Sequence, residues 1–515
     1  MSVVALILLS LHLAAAGLGQ SPQGFAESPL AVVALPGIPP APGWPPTIPA
    51  RDTLVPAPNL GPPELPSTVS PPVSPPLSPR ALTEVQTAPP APNTDPNATD
   101  IPTRPSSTGA DRSKPPAVAG WDNGFFLRSE DNNFVLRITG QIQTDYKTFI
   151  DQPDPADINT FLLRRARFGI EANMFQYYEF RFLPDFAPPL PVIQDSYLNV
   201  HYVDWFQFEA GRFKQPLSYE QLIQDRFVPT MERSLIDQLV PQRDWGAMIH
   251  GQKLFGDRFD YYVAVHDGII NGGTIDNNDG KDVTARVALR PLNSDPFPMW
   301  MRLFQAGMAL NGGFDNETAN PSTLKTPLGV TWLTFMPGAL QNGWRARYSP
   351  ELAYLYGPVG VAAQYYYENQ VMQSAAAGSA PLNVPTTGFL VWATLLLTGE
   401  KRTSFSQPVV PNNNFDPRHP LGSPGALELV IRTSRLWLDP LVFQPGVNQL
   451  VNPAFNSNAA TELTLGLNWY LNAWVRVQFN YERAWFDQTV TLPAAATGVP
   501  HSNTDTLAAR FQVIF

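Results

Sequence analysis

Thr506-Leu507-Ala508-Ala509-Arg510-Phe511-Gln512-Val513-Ile514-Phe515 decides the fold. Leu507, Ala509, Phe511, Val513 and Phe515 fall on one face of an extended chain, and Thr506, Ala508, Arg510 and Gln512 on the other. Strict period-2 alternation belongs to a strand that meets a different solvent on each side. In a membrane barrel those solvents are lipid and a polar lumen, whereas an ordinary half-buried strand gives the same local pattern. The rest of the chain has to decide between them.

Composition narrows the choice. Only 15% of the 515 residues are charged, and 11% are aromatic, with 12 Trp, 16 Tyr and 30 Phe. Beyond the amino terminus no uninterrupted apolar run reaches the ~18 residues that a membrane helix needs, while so many aromatics suit the interfacial girdles of a barrel. The absence of cysteine fits an oxidising periplasm and surface. A formal net charge of −10 speaks against a nucleic-acid partner.

Three segments follow. Residues 1–16 hold the apolar stretch Val3 to Leu9 followed by Ala14-Ala15-Ala16, the core and cleavage region of a secretory signal, although no Lys or Arg precedes the core. Residues 17–120 are Pro-rich, with 27 of the 56 prolines lying in the first 120 residues. They are expected to form an unpacked, semi-rigid periplasmic linker, either a plain tail or an arm that touches the cell wall through 20–115. Residues 121–515 read as strands with Gly, Pro, Asn and Asp between them.

In the first of these strands Phe134, Leu136, Ile138, Ile142 and Tyr146 alternate with Arg137, Thr139, Gln141, Gln143, Asp145 and Lys147. In the next, Leu162, Ala166, Phe168 and Ile170 oppose Arg165, Arg167 and Glu171. Charges of both signs on an inward face suit a water-filled lumen. A sandwich would bury them at a cost of several kcal/mol each. Spanning segments are expected at 134–149, 160–174, 177–186, 192–203, 205–214, 244–254, 258–267, 281–291, 299–311, 345–356, 359–370, 386–398, 425–438, 461–471, 474–487 and 505–515. The fold is thus all-β, a 16-stranded antiparallel transmembrane β-barrel with an inward-folded constriction loop at 215–243. Parity makes the apolar patch at 330–336 part of one long surface-side loop, 312–344, and the links at 356–359 and 471–474 short periplasmic turns. Within the inward loop, Ser218 and Thr230 are spaced to cap two short helices interrupted at Pro229. Glu232 is expected to pair with Arg233 and hold the loop to the wall.

The run Gly211-Arg212-Phe213-Lys214-Gln215-Pro216-Leu217-Ser218, then Met231-Glu232-Arg233-Ser234-Leu235 and Gln242-Arg243-Asp244-Trp245-Gly246, resembles the phosphate-selective porin O/P family in order and spacing. Leu163-Arg164-Arg165-Ala166-Arg167-Phe168-Gly169 and Leu465-Gly466-Leu467-Asn468-Trp469-Tyr470 resemble it too, so that the likeness covers about 121–515. The terminal Phe515 looks like the assembly signal of Gram-negative outer-membrane barrels. The resemblance implies a homotrimer embedded in outer-membrane lipid, with an eyelet lined by cations through which small anions such as phosphate diffuse. Arg164, Arg165, Arg212 and Lys214 match family motifs directly, and Arg167, Arg181, Arg226, Arg233 and Arg243 gather around the same eyelet.

Acidic residues dilute that cluster, among them Asp195, Glu209, Asp225, Glu232 and Asp237. With the five basic and seven acidic residues of the first 120 set aside, the barrel portion holds 29 Lys and Arg against 37 Asp and Glu, a net charge of −8. The local field at a constriction, not this total, governs an anion pore. Enzyme signatures are missing: the six histidines are scattered, and there is no metal spacing, no P-loop, no dinucleotide fingerprint and no nucleophile elbow, so no cofactor is expected. The function expected is passive diffusion of small hydrophilic solutes, anion-preferring and with phosphate or polyphosphate among them. The alternative is a structural or adhesive barrel with a largely closed lumen, tethered by its Pro-rich arm.

Overall fold

Alternation sustained over eight to eighteen residues needs a solvent for each face of the sheet and a partner for each edge, and the chain meets both demands by closing on itself. The computed structural model describes residues 117–121, 124–150, 158–269, 278–316, 321, 323–491 and 500–515. The expected signal at 1–16 and the linker up to residue 116 lie outside the described residues.

A hairpin of β1 (Ala117–Trp121) and β2 (Phe125–Ser129) comes first. The linker boundary read at 120 therefore falls inside a paired strand. Next come β3 (Phe134–Phe149), β4 (Thr160–Met174), β5 (Tyr178–Asp185), β6 (Val192–Val203) and β7 (Phe206–Lys214). After an inward loop follow β8 (Arg243–Lys253), β9 (Phe259–His266), β10 (Asp282–Leu289) and β11 (Phe304–Asn316). Two short strands, β12 (Leu324–Lys325) and β13 (Thr331–Leu333), pair only with each other. The wall resumes with β14 (Ala339–Tyr356), β15 (Val359–Ser374), β16 (Leu382–Leu396) and β17 (Ala426–Leu438). It ends with β18 (Ala459–Tyr470), β19 (Val475–Val490) and β20 (His501–Ile514). Excluding the hairpin and the β12–β13 pair, sixteen antiparallel strands form the ring, and β20 joins β3 from Thr506↔Phe149 to Ile514↔Gln141.

The parity reading holds, since 330–336 contributes no spanning strand. The loop is shorter than expected, however, because β11 runs on to Asn316 and β14 starts at Ala339. Residues 299–302, read as the start of a strand, form a short helix instead. A second difference lies in β4. The register slips between Gln143↔Arg165 and Thr144↔Leu163, so one residue is extra and the alternation changes phase. Phe161 and Leu163 face outward, 76% and 41% exposed, while Leu162, read as lipid-facing, borders an interior cavity. The bulge is also what lets the consecutive Arg164 and Arg165 both reach the interior.

Closure depends on a residue without a side chain. The Phe515 N–H donates to the Gly140 carbonyl at 3.1 Å and the Gly140 N–H donates back at 2.8 Å. A Cβ at Gly140 would sit 2.1 Å from the Phe515 ring. Where β20 ends, β2 takes over the edge of β3, from Phe125↔Ile138 to Arg128↔Val135, and Trp121 packs edge-on against Trp474 in the β18–β19 turn at 5.7 Å. The hairpin thus lengthens the seam that the last strand starts.

Gly140→Val is expected to displace Phe515 and lower the yield of folded barrel, an overpacking effect of about 1–3 kcal/mol. Gly312→Ala, whose added Cβ would meet nothing nearer than 3.4 Å, should fold normally. The shift between heated and unheated bands in gel electrophoresis reads both outcomes.

Candidate functional site

The 28-residue connection between β7 and β8, residues 215–242, cannot lie across a water-poor interior unless its backbone polar groups find partners. Its first helix, Tyr219–Leu222, is capped as the sequence indicates, by Ser218 Oγ accepting from the Gln221 N–H at 3.2 Å. The second turn is a 3₁₀ helix, Leu235–Gln238, that starts at Ser234 and not at Thr230. Glu220 holds that start from inside the loop, accepting from the Ser234 N–H at 3.1 Å and from its Oγ at 2.6 Å.

Side chains of the far wall supply most of the donors for the loop carbonyls. Arg476 donates to Val228 O at 3.2 Å, Asn468 to Pro229 O at 2.8 Å, Arg432 to Glu232 O at 2.6 Å and Tyr366 to Leu239 O at 3.1 Å, and Arg510 reaches Met231 O. Beneath these bonds Leu217, Ile223, Leu235 and Ile236 pack into an apolar core with Trp392 and Leu436 of the wall. Two further segments join this filling. From the loop end, Val330, Trp332 and Leu333 are buried in the same core, and Lys147 Nζ donates to Leu328 O at 2.9 Å. From the turn end, Phe405 in the β16–β17 connection packs edge-on against Trp392, on which Tyr219 of the loop also stacks. One side of the lumen is thereby packed.

The other side, along β3–β8, holds two chambers. The outer one, about 480 Å³, is bordered by Lys147, Arg164, Arg165, Glu232, Asp237 and Lys325 among others. The inner one, about 210 Å³, is bordered by Arg181, Asp195, Tyr197, Phe213, Lys214 and Arg226 among others. Arg167, Asp225 and Arg243 border both and stand between them. There Arg167 bonds Asp185 at 2.8 Å and also pairs with Asp225, while Arg243 bonds Asp195 at 2.6 Å. Burial alone would raise the Asp225 carboxyl, but Arg233, Arg167 and Arg165 together hold it well below the ordinary carboxylate range.

Eight of the nine cations read from the sequence line these chambers. Most are committed to carboxylates. Arg164 and Arg165 meet Glu232 at 2.8 and 3.3 Å, Arg181 lies between Glu171 and Asp195 at 2.5 and 3.0 Å, and Arg233 pairs with Asp225. Lys214 gives its ammonium to the carbonyls of Gln221 and Ile223 at 2.6 and 2.8 Å. Arg226 differs: its Nε donates to Gln224 at 2.7 Å, its guanidinium lies 5.0 Å from the Phe227 ring centre, and no carboxylate among the described residues pairs with it. Burial first, then Arg181, draws it down to about 10, so it stays charged at neutral pH. Arg212 is buried but borders neither chamber.

The pairing of Glu232 with Arg233 is corrected. Glu232 does anchor the loop, but to three wall arginines, Arg164, Arg165 and Arg510, the last at 2.5 Å, and Arg233 stays with Asp225 and Asp237 inside the loop. Local sequence offered no sign of this, since Arg510 is 278 residues away. Lys147 and Lys325, also on the outer chamber, were not singled out either.

A closed barrel with an outward apolar face, an inward loop and charged chambers beside it is the architecture of an outer-membrane porin. The chain belongs to the phosphate-selective porin O and P family, matching it over residues 136–295 and 330–515. No curated protein sequence matches it. Among solved structures it is similar to the outer membrane channel DcaP of Acinetobacter baumannii, at 11% identity and a TM-score of 0.46, covering 76% of this chain and all of that one. The anion-selective porin from Comamonas acidovorans is similar at 11% identity and a TM-score of 0.45, covering 74% and 100%. Outer-membrane expressed OmpT of Vibrio cholerae is similar at 12% identity and a TM-score of 0.45, covering 76% and 100%.

Asp237 gives the outer chamber a titration near neutrality. Burial raises its carboxyl to about 7, against the pull of Arg233 and with the push of Glu220 and Asp225. Lowering the pH from 8 to 6 removes its negative charge, so the chloride-to-potassium permeability ratio should rise over that window. Asp237→Asn is expected to abolish this step when reversal potentials are measured across the range.

Proposed function

We propose that this outer-membrane porin prefers anions, with phosphate among the solutes it passes. The observation that carries the reading is the charge of the passage. Five basic and three acidic residues border the inner chamber, and seven basic and four acidic the outer one, in a chain whose net charge is −10. In a narrow cleft with low-dielectric walls such an excess governs the permeating ion more than the distant surface does. Arg164, Arg165, Arg167, Arg181, Lys214, Arg226, Arg233 and Arg243 set that field, most of them already half-neutralised by partners, while Arg226 is ion-paired with no carboxylate among the described residues. Assembly as a homotrimer follows from the family resemblance. Contact of residues 20–115 with the cell wall is part of the same proposal, since the β1 hairpin begins at the end of the barrel that carries the short turns.

Reversal potentials in a potassium chloride gradient across planar bilayers test the reading. The unsubstituted chain should favour chloride, and Arg226→Gln should lower the chloride-to-potassium permeability ratio by roughly two- to threefold, the effect of removing one fixed charge a few ångström from the ion. Arg137→Ala, outside both chambers, should change it little. A cation-selective channel would overturn the anion reading, and a silent bilayer would return the structural barrel.

A further inference from the structure

The inner chamber has two unlike walls. One is ionic: Arg226, carrying a guanidinium with no carboxylate partner among the described residues, stands near Arg181 and Arg243. The other is largely apolar, with the Glu209 carboxyl beside it across the ladder from Met248. Leu183, Phe213 and Met248 border the same space and are themselves 6%, 2% and 7% exposed, and Tyr197 packs against Phe213 and Met248. Phe213 and Met248 sit on neighbouring strands, β7 and β8, so this wall is part of the rigid barrel and not of a loop. Leu222 of the inward loop adds to it from the other side.

Resting on the anion-porin reading, we propose that the inner chamber is a binding site for small organic monoanions that carry an apolar body, such as aromatic or branched sulfonates and carboxylates, in preference to inorganic phosphate. Phosphate is surrounded by oxygens. Whichever way it turns, some of its water must be stripped against Leu183, Phe213 or Met248, which return no hydrogen bond. An anion with one charged end and one apolar end satisfies both walls at once: its oxyanion takes the planar fork of Arg226, and its body removes apolar surface of Phe213 and Met248 from water. A chamber of about 210 Å³ holds one such molecule and is too small for a folded-back polymer.

Benzenesulfonate and methanesulfonate, which stay charged at all working pH values and do not cross lipid, make the test. The full chain in planar bilayers should show chloride current blocked by benzenesulfonate at a concentration at least ~5-fold below that needed of methanesulfonate or phosphate, as expected from the extra apolar area. Met248→Gln, which keeps the length of the side chain, should weaken the benzenesulfonate block ~3-fold or more while leaving the methanesulfonate block as it was, and Met248→Leu should restore it. Phosphate blocking as well as or better than benzenesulfonate would overturn this inference while leaving the anion porin intact. So would a benzenesulfonate block insensitive to Met248→Gln. A channel that selects potassium over chloride would fail the reading beneath it, and that is measured first in the same bilayer.

Discussion

Backbone carbonyls of the inward loop have to be hydrogen-bonded inside the barrel, and everything else in the lumen follows from how that is done. Non-repetitive backbone leaves its C=O groups facing outward, and a buried unpaired carbonyl costs on the order of 1–3 kcal/mol. Arg476, Asn468, Arg432, Arg510 and Tyr366, spread over β15, β17, β18, β19 and β20, supply most of the donors, and Lys214 of β7 holds the Gln221 and Ile223 carbonyls from the other side. These five come from one side of the ring, where the loop also packs its apolar side chains. The two chambers lie on the β3–β8 side.

The same asymmetry explains the electrostatics. Arginines on the packed side serve structure: Arg510 is fully buried and makes a two-pronged pair with Asp145, both bonds at 2.7 Å, before reaching the loop. Such pairs stabilise little relative to an apolar filling, but removing one partner leaves an uncompensated charge and costs about 3–5 kcal/mol. On the passage side the cations border open chambers, and their carboxylate partners reduce the field without cancelling it. A pore that holds its solute too firmly cannot conduct, and partial compensation is one way to keep an attractive chamber from becoming a trap.

Much of this architecture was legible in the sequence because period-2 alternation is local. Sixteen strands, the inward loop and the cap at Ser218 can be read from neighbours within a few residues. The bulge at Arg164 was not, since an extra residue in one strand is defined by its partner, and Leu162 was assigned to the wrong face as a result. The partners of Glu232 were hidden for a like reason: ring closure brings Arg510 beside it, and no local pattern encodes ring closure. Arg212 shows the limit of motif reading from the other direction. It lies in a family run and is buried, yet it borders neither of the chambers, while its neighbours Phe213 and Lys214 border the inner one. The β1–β2 hairpin was missed because five-residue strands next to a Pro-rich stretch carry too little alternation to stand out.

The central claim is that solute passes between the loop and the β3–β8 wall while the opposite side stays packed. The chain has no cysteine, so a single introduced thiol reports its own surroundings. Gln224→Cys places a thiol on the inner chamber, and Ser218→Cys places one at a position 1% exposed against the packed wall. With a negatively charged methanethiosulfonate reagent added during bilayer recording, the Gln224→Cys channel should lose at least ~50% of its current, as expected when a bulky fixed charge enters a narrow passage. The Ser218→Cys channel should keep its current. Block of Ser218→Cys with Gln224→Cys unaffected would put the passage on the other side of the loop and contradict the account.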